Sequence, residues 1–325
     1  MIQPVIVIHG GAGALTRSAM DQELENNYRQ SLKAIVKAGQ EILAAGGSAL
    51  DAVSEAVRQL EENPLFNAGY GAVFTHEQTH ELDACMMDGA TLNSGAVCAV
   101  AKIRNPILAA RSVMENSEHV LLTGKGAEAF AKAQNLEMVD PDFFSTATRL
   151  AQLKRVSQSA QVLLDHDAQA LDADQPGDPL DPDKKYGTVG AVAIDVHGHL
   201  AAATSTGGMT NKMVGRIGDS PIIGAGCYAN DATVAISSTG TGEAFMKMVA
   251  AYDVSALMAY TGASLNEAMN TVVMEKLPKI AGSGGMVGVD AKGNIALIFN
   301  SEGMYRGFGY VGDEPRVGIY RETEQ

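Results

Sequence analysis

A single boundary constrains this chain more than anything else in it. Between Asp165 and Lys185 stand seven aspartates and three of the ten prolines, with few apolar side chains to anchor them; such a composition predicts a flexible linker over 165–187. It runs into Tyr186-Gly187-Thr188 and then Val189-Gly190-Ala191-Val192-Ala193-Ile194, small and β-branched residues that read as a tightly packed strand. Any fold must therefore deliver a soft acidic segment straight into buried sheet. Turn and strand preferences alone make Gly187-Thr188 an ordinary strand start. The chemical reading makes Thr188 a latent N-terminal nucleophile. If its Oγ1 attacks the Gly187 carbonyl, an N-to-O acyl shift and hydrolysis free the Thr188 amine. A free α-amino group, with a pKa of about 7.7–8.0, suits a general base near neutral pH. Hydroxyl and base then belong to one residue.

The rest of the chain predicts strands and helices in clusters. Val5 to Ile8 reads as a buried strand feeding a tight Gly loop at His9-Gly10-Gly11-Ala12-Gly13. Tyr28, Leu32, Ile35, Val36 and Ile42 recur at helical spacing until Gly46-Gly47, and Ser48-Ala49-Leu50-Asp51 opens a second helix that Pro64 ends. Gly71 to Phe74, a polar turn at His76 to Thr79 and Leu82 to Met86 predict a hairpin, followed by a strand from Gly95 to Ile103. Asn105-Pro106 starts a helix, and helical segments continue to about Leu164. After the linker, His197-Gly198 turns the Val189 strand into Leu200 to Ser205, and Gly285 to Val289 pairs with Ile295 to Phe299. Gly242 to Thr261 and Ser264 to Leu277 predict two helices between these hairpins. Clustering without strict alternation favours a layered α+β sandwich over a doubly wound parallel sheet.

Composition excludes several classes of function. A net charge of −14 over 325 residues repels nucleic-acid phosphates and anionic lipid, and no apolar run approaches a membrane span. The three scattered cysteines, Cys85, Cys98 and Cys227, form no C-x-x-C pair and fit reduced thiols. With no basic region before the first apolar run, a cytoplasmic protein is expected. The 35 glycines, about 11% against an ordinary ~7%, point to turns and close backbone approaches.

Three motifs compete for the chemistry. His76-Glu77-Gln78-Thr79-His80 is a literal H-E-x-x-H, which in zinc proteases places both histidines on one helical face, yet this stretch is polar throughout and reads as a solvated turn. The loop at His9 to Gly13 lacks the third glycine of G-x-G-x-x-G, and no G-K-[ST] closes a phosphate loop. Downstream of Thr188 the order is more suggestive. Thr206 ends the strand expected to pair with the Thr188 strand; Arg216-Ile217-Gly218-Asp219 offers a guanidinium and a carboxylate suited to the α-carboxylate and α-ammonium of an amino acid. Ser238-Thr239-Gly240-Thr241-Gly242 enters a helix, where free N–H groups and a hydroxyl suit an oxyanion. Each also has a plain structural account, as a strand-end hydroxyl, a surface ion pair and a helix entry.

The ordered set His9-Gly-Gly-Ala-Gly13, Leu65-Phe-Asn-Ala-Gly69, His80-Glu-Leu-Asp-Ala84, Gly187-Thr-Val-Gly-Ala-Val192, Thr204-Ser-Thr-Gly-Gly-Met-Thr-Asn-Lys212, Arg216-Ile-Gly-Asp219 and Thr239-Gly-Thr-Gly242 closely resembles the plant-type L-asparaginase/isoaspartyl aminopeptidase family of Ntn-hydrolases. The resemblance implies a four-layer αββα sandwich, one domain over 1–325, and autoproteolysis between Gly187 and Thr188 into chains 1–187 and 188–325. It also implies hydrolysis of isoaspartyl dipeptides and L-asparagine. Position by position, it makes Thr188 the nucleophile, Thr206 the hydroxyl that tunes it, and Arg216 and Asp219 the substrate clamp, flanked by Ile217 and Gly218. Thr239 and Gly240 form the oxyanion hole, with Thr241 and Gly242 lining the pocket. It further implies a structural sodium loop at Leu60, Glu61, Asn63, Phe66, Ala68 and Tyr70, binding through main-chain carbonyls, with Asn67 as polar support beside it, no catalytic cofactor, and an (αβ)2 assembly. The rivals are a glycosylasparaginase-like hydrolase, disfavoured by Gly187 and the absence of tryptophan, a zinc protease using His76, Glu77 and His80, and a non-catalytic amino-acid-binding module.

Overall fold

A computed structural model describes residues 2–13, 15, 20–165 and 187–321, so the predicted linker lies outside the described residues except at Asp165 and Gly187. The first strand, β1 (Val5–Gly13), sets the layering by its alternation. Ile6 and Ile8 enter one core, Val5 and Val7 another, and all four are fully buried. A strand buried on both faces must lie between two layers. Over the Ile6 face pack α1 (Gln22–Ala44), α2 (Ala49–Glu61) and α3 (Pro106–Asn116), through Leu32, Val36, Val53, Val57 and Ile107.

The other strands of this sheet are β2 (Leu82–Asp88), β3 (Ser94–Val100), β4 (Leu121–Thr123), β5 (Val189–Ile194), β6 (Leu200–Thr206), β11 (Gly303–Tyr310) and β12 (Arg316–Tyr320), in the order β12-β11-β1-β5-β6-β2-β3-β4. The second sheet, β10-β9-β8-β7, contains β7 (Cys227–Ala229), β8 (Val234–Gly240), β9 (Gly284–Asp290) and β10 (Ile295–Phe299). Ala235, Val287 and Val289 meet Val5, Val7, Val192 and Ile194 between the sheets. On its outer face Val234, Ile236 and Met286 meet α6 (Gly242–Met248), α7 (Ala250–Thr261) and α8 (Leu265–Asn270). Helices, sheet, sheet and helices thus form the four-layer αββα sandwich. No helix among the described residues is long and apolar enough to cross a membrane.

Local chemistry explains where elements start. Ser48 and Asp51 form a reciprocal capping box at α2, and Ser264 with Glu267 does the same at α8. Four expectations need correction. The predicted Gly loop after Ile8 is a continuation of β1, because β11 supplies partners for Gly11, Ala12 and Gly13 past a bulge after His9. Gly71 to Phe74 is no strand: Gly71 N–H goes to the Phe144 carbonyl and Val73 N–H to the Asn67 side chain, which leaves only an isolated bridge from Thr75 to Lys212. The helix predicted from Gly242 to Thr261 breaks at Val249, held at φ 49°. The one predicted from Ser264 to Leu277 widens into a π turn after Asn270 and tightens into a 3-10 turn at Leu277–Ile280.

Candidate active site

The inter-sheet core changes character along its length. Even-numbered residues of β5 and β6 face the second sheet, as Val192, Ile194, Leu200 and Ala202 show. Toward one end that same face carries hydroxyls: Thr204 and Thr206 on β6, Thr188 just before β5, and Ser237 and Thr239 on the facing strand β8, all buried. Antiparallel pairing of Gly190 with Thr204 puts Thr188 opposite Thr206. The Thr188 hydroxyl donates to Thr206 Oγ1 at 3.2 Å and lies 3.3 Å from Ser220 Oγ. Thr206 Oγ1 in turn accepts from the Gly208 N–H at 2.9 Å, which fixes its lone pairs and leaves it aimed at Thr188.

Beneath this pair runs a second hydroxyl network. His9 Nε2 meets Ser237 Oγ at 2.8 Å, and Ser237 Oγ meets Thr204 Oγ1 at 2.8 Å. Burial pushes the His9 imidazole down to about 3, so this ring is neutral at physiological pH. The approach depends on Gly190, where a Cβ would stand 1.9 Å from Ser237 Oγ and 2.6 Å from His9 Nε2. Gly190→Ala is therefore expected to force the sheets apart, at the upper end of the about 1–3 kcal/mol typical of overpacking, and to impair formation of the Thr188 site. Thermal unfolding checks the first effect and intact mass the second.

Arg216 and Asp219 line the same pocket as Thr188, Thr206, Gly208, Ser220, Gly240 and Gly242. Arg216 Nε and Nη2 each donate to Glu243 at 2.9 Å, a bidentate pair that fixes the plane of the guanidinium. Asp219 is buried and its Oδ2 has no hydrogen-bond partner among the described residues; burial pushes its carboxyl up to about 7, against the lowering influence of Arg216. An acid left one partner short is prepared for a cationic ligand. Gly187 also walls this pocket, and with it in place the space left is only ≈ 10 Å3, about enough for a single water.

Other predicted residues stand behind that lining. Thr239 Oγ1 accepts from the Ala12 N–H at 3.3 Å, Thr241 is the N-cap of α6 and its Oγ1 accepts from the Ser283 N–H, and Ile217 lies outside the lining residues. The loop containing Leu60, Glu61, Asn63, Phe66, Ala68 and Tyr70 closes on itself through Phe66 N–H to the Asn63 carbonyl and Tyr70 N–H to the Glu61 carbonyl. Through Glu61 and Asn67 it bonds to β6 and to the turn after it, where the Gly207 N–H also donates to the Asn67 carbonyl. Glu61, its carboxyl pushed up to about 8 by burial, accepts from Ser205 Oγ at 2.6 Å, and Asn67 Nδ2 donates to the Gly208 carbonyl at 2.7 Å.

The zinc alternative fails on geometry. His76 stands in a turn and His80 in the irregular segment after it, so no helical face joins them. His80 is buried with Nδ1 against the Val73 carbonyl and Nε2 against Ser145 Oγ, and His76 Nδ1 meets the Lys212 carbonyl.

Comparison with known proteins extends the pattern over the whole chain. The family model described as asparaginase matches residues 2–319. The chain belongs to the asparaginase family. Among relatives of this asparaginase-family chain, the isoaspartyl peptidase of Escherichia coli (strain K12) is 59% identical over 322 residues, covering 99% of this chain and 98% of that protein. The isoaspartyl peptidase of Salmonella typhimurium is also 59% identical, covering 99% and 100%. An isoaspartyl peptidase/L-asparaginase of Xenopus laevis is 41% identical over 320 residues, covering 98% and 96%. The αββα layering is that of the Ntn-hydrolase sandwich. Three neighbours in the site escaped sequence reasoning: Ser220, Glu243 and the His9–Ser237 contact. Ser220 and Glu243 directly follow the Arg216 to Asp219 and Thr239 to Gly242 runs, so extending each run by one residue was the available signal.

Proposed function

We propose that this chain is an autoproteolytically activated threonine hydrolase that cleaves isoaspartyl dipeptides and L-asparagine through a β-aspartyl ester on Thr188. The observation that carries the reading is the placement of the Thr188 hydroxyl, directly after Gly187, in one pocket with an Arg216/Asp219 pair. The names of the relatives agree with it. The ≈ 10 Å3 left beside Gly187 is far too little for an amino acid, so withdrawal of Gly187 after cleavage both frees the base and empties the site.

Chemistry then follows from position. Arg216 holds the substrate's α-carboxylate by its free edge, and Asp219 holds the α-ammonium, supplying the partner that Oδ2 lacks. The free Thr188 amine accepts the hydroxyl proton as Oγ1 attacks the side-chain amide carbon. Thr206, oriented by the Gly208 N–H, stabilises the developing alkoxide. Gly240 lines the pocket on the side assigned to the oxyanion, and Thr239, directly behind it, reaches the oxyanion by turning its Oγ1 away from the Ala12 N–H. The amine returns its proton to the departing nitrogen, and water attacks the resulting ester from the vacated side. Asparagine releases ammonia and an isoaspartyl dipeptide releases an amino acid, so one site serves both.

No catalytic cofactor enters these steps. A structural sodium is assigned to the main-chain carbonyls of Leu60, Glu61, Asn63, Phe66, Ala68 and Tyr70. The Glu61 and Asn63 carbonyls each accept one backbone N–H and keep a second lone pair for a hard cation; by holding this loop, such an ion would steady the Glu61–Ser205 and Asn67–Gly208 contacts to the segment bearing Thr206. The working form is an (αβ)2 assembly of processed chains in a reducing compartment, in keeping with the three free, buried cysteines.

Assays with an isoaspartyl dipeptide, asparagine and a glycosylated asparagine test the reading. Turnover of the first two is expected; turnover of the glycosylated substrate alone overturns it. Gly242→Ala gives a more local test, since a Cβ there would stand 2.9 Å from Arg216 Nη2 and 3.0 Å from Asp219 Oδ1. It is expected to raise KM for dipeptide and asparagine together by about tenfold or more, with chain cleavage unaffected in intact-mass spectra.

A further inference from the structure

A proton handed from the Thr188 amine to the departing nitrogen requires the departing group to lie on the side that Gly187 vacates. This geometry rests on the proposed N-terminal-nucleophile reading. That side already borders a second cavity. Gly187 is a wall common to the nucleophile pocket and to a cavity lined by Gly11, Tyr28, Asn67, Arg149 and Tyr305 among others.

Arg149, on α5 (Ala147–Asp165), is the unusual group in that lining. Its Nε donates to the Gly71 carbonyl at 2.7 Å and Nη1 to Gln152 Oε1 at 3.1 Å. Both acceptors are neutral, and no carboxylate among the described residues pairs with it. Burial pulls this guanidinium below its ordinary pKa, the mark of a cation withdrawn from water without a counter-charge. Across the cavity the Tyr305 ring stacks on Tyr28 with centroids 4.2 Å apart. Its hydroxyl is buried beside the Tyr28 hydroxyl and has no hydrogen-bond partner at bonding distance among the described residues. A cation lacking an anion and a hydroxyl lacking an acceptor, facing one cavity, together describe a carboxylate site.

We propose that Arg149, with the Tyr305 hydroxyl, receives the α-carboxylate of the amino acid departing from an isoaspartyl dipeptide. That carboxylate sits one carbon from the departing nitrogen, whereas asparagine releases ammonia and places nothing there. Arg149 therefore separates the two substrates without touching the reacting carbonyl. Arg216 binds the aspartyl half on one side of Thr188, and Arg149 binds the other half across the position of Gly187.

Steady-state kinetics of matured protein on β-aspartyl-leucine, β-aspartyl-leucinamide and asparagine test this. The wild type is expected to favour the free-acid dipeptide over its amide at least tenfold in kcat/KM. Arg149→Gln should erase that preference by lowering kcat/KM for the acid at least tenfold, mainly through KM. The amide and asparagine should stay within about twofold, and Arg149→Lys should recover part of the loss. Equal losses on all three substrates, or a wild type that treats acid and amide alike, overturn the proposal. A matured wild type inactive on all three overturns instead the function on which it rests. Intact mass confirms maturation of each variant.

Discussion

Replacing Thr188 by alanine is expected to leave one uncleaved 325-residue chain and to abolish hydrolysis of both substrates, a loss of at least about 10^4-fold as for other removed nucleophiles. One atom carries both events: Oγ1 is the group that attacks the Gly187 carbonyl in the precursor and the substrate amide afterwards. The side chain is buried and packed against Thr206 and Ser220, so the alanine variant loses two hydroxyl contacts but leaves the surrounding apolar layers intact. Its fold should persist, which near-ultraviolet circular dichroism can confirm alongside the mass. Thr188→Ser keeps the hydroxyl and should still cleave. An alanine variant that matured and hydrolysed at the wild-type rate would remove Thr188 from the chemistry altogether.

Asp219→Asn should move activity and stability in opposite directions. The carboxylate is the sole charged acceptor proposed for the substrate ammonium, and losing a charge-assisted contact in a buried site costs about 2–5 kcal/mol. This corresponds to a fall in kcat/KM of about 30- to 5,000-fold on dipeptide and asparagine alike. For stability the sign runs the other way. The carboxyl is raised to about 7 in the fold, above the about 3.9 of an unfolded chain. The folded state therefore keeps a proton that the unfolded state gives up, and this group's contribution, fully present below about pH 4, is lost as pH rises toward 7. Asparagine suffers no such loss. The variant should match or exceed the wild type in denaturant midpoint at pH 8, with its advantage over the wild type shrinking toward pH 4. In the wild type, kcat/KM should drop steeply as pH falls through about 7, because Asp219 and the Thr188 amine both gain protons there. A flat profile down to pH 5 would contradict the assignment of Asp219.

The parts of the site that follow from strand pairing were legible before any coordinates. Thr188 and Thr206 meet because a short hairpin about His197-Gly198 fixes the register of β5 on β6, and alternation then decides which hydroxyls share a face. The layered α+β class followed from the same hairpins, and the helix starts at Ser48 and Ser264 from their capping boxes. Features decided by distant partners were not legible. β1 continues through its glycines because β11, some 300 residues later, supplies the hydrogen bonds. Gly71 to Phe74 leaves strand pairing because Asn67 and Phe144 take its N–H groups. Glycine content alone could not distinguish Gly190, which admits His9 to Ser237, from glycines that merely turn the chain. Arg149 has no motif around it; only the cavity that Gly187 shares between two sides of the site makes it informative.

The central claim is that chain cleavage before Thr188 creates the catalyst. Intact-mass measurement with N-terminal sequencing of purified, incubated protein tests it most directly. Two chains are predicted, one ending at or before Gly187 and the other running from Thr188 to Gln325 with a free threonine amine, and hydrolytic activity should rise in step with the second. A single full-length species with full activity on the isoaspartyl dipeptide would contradict the account.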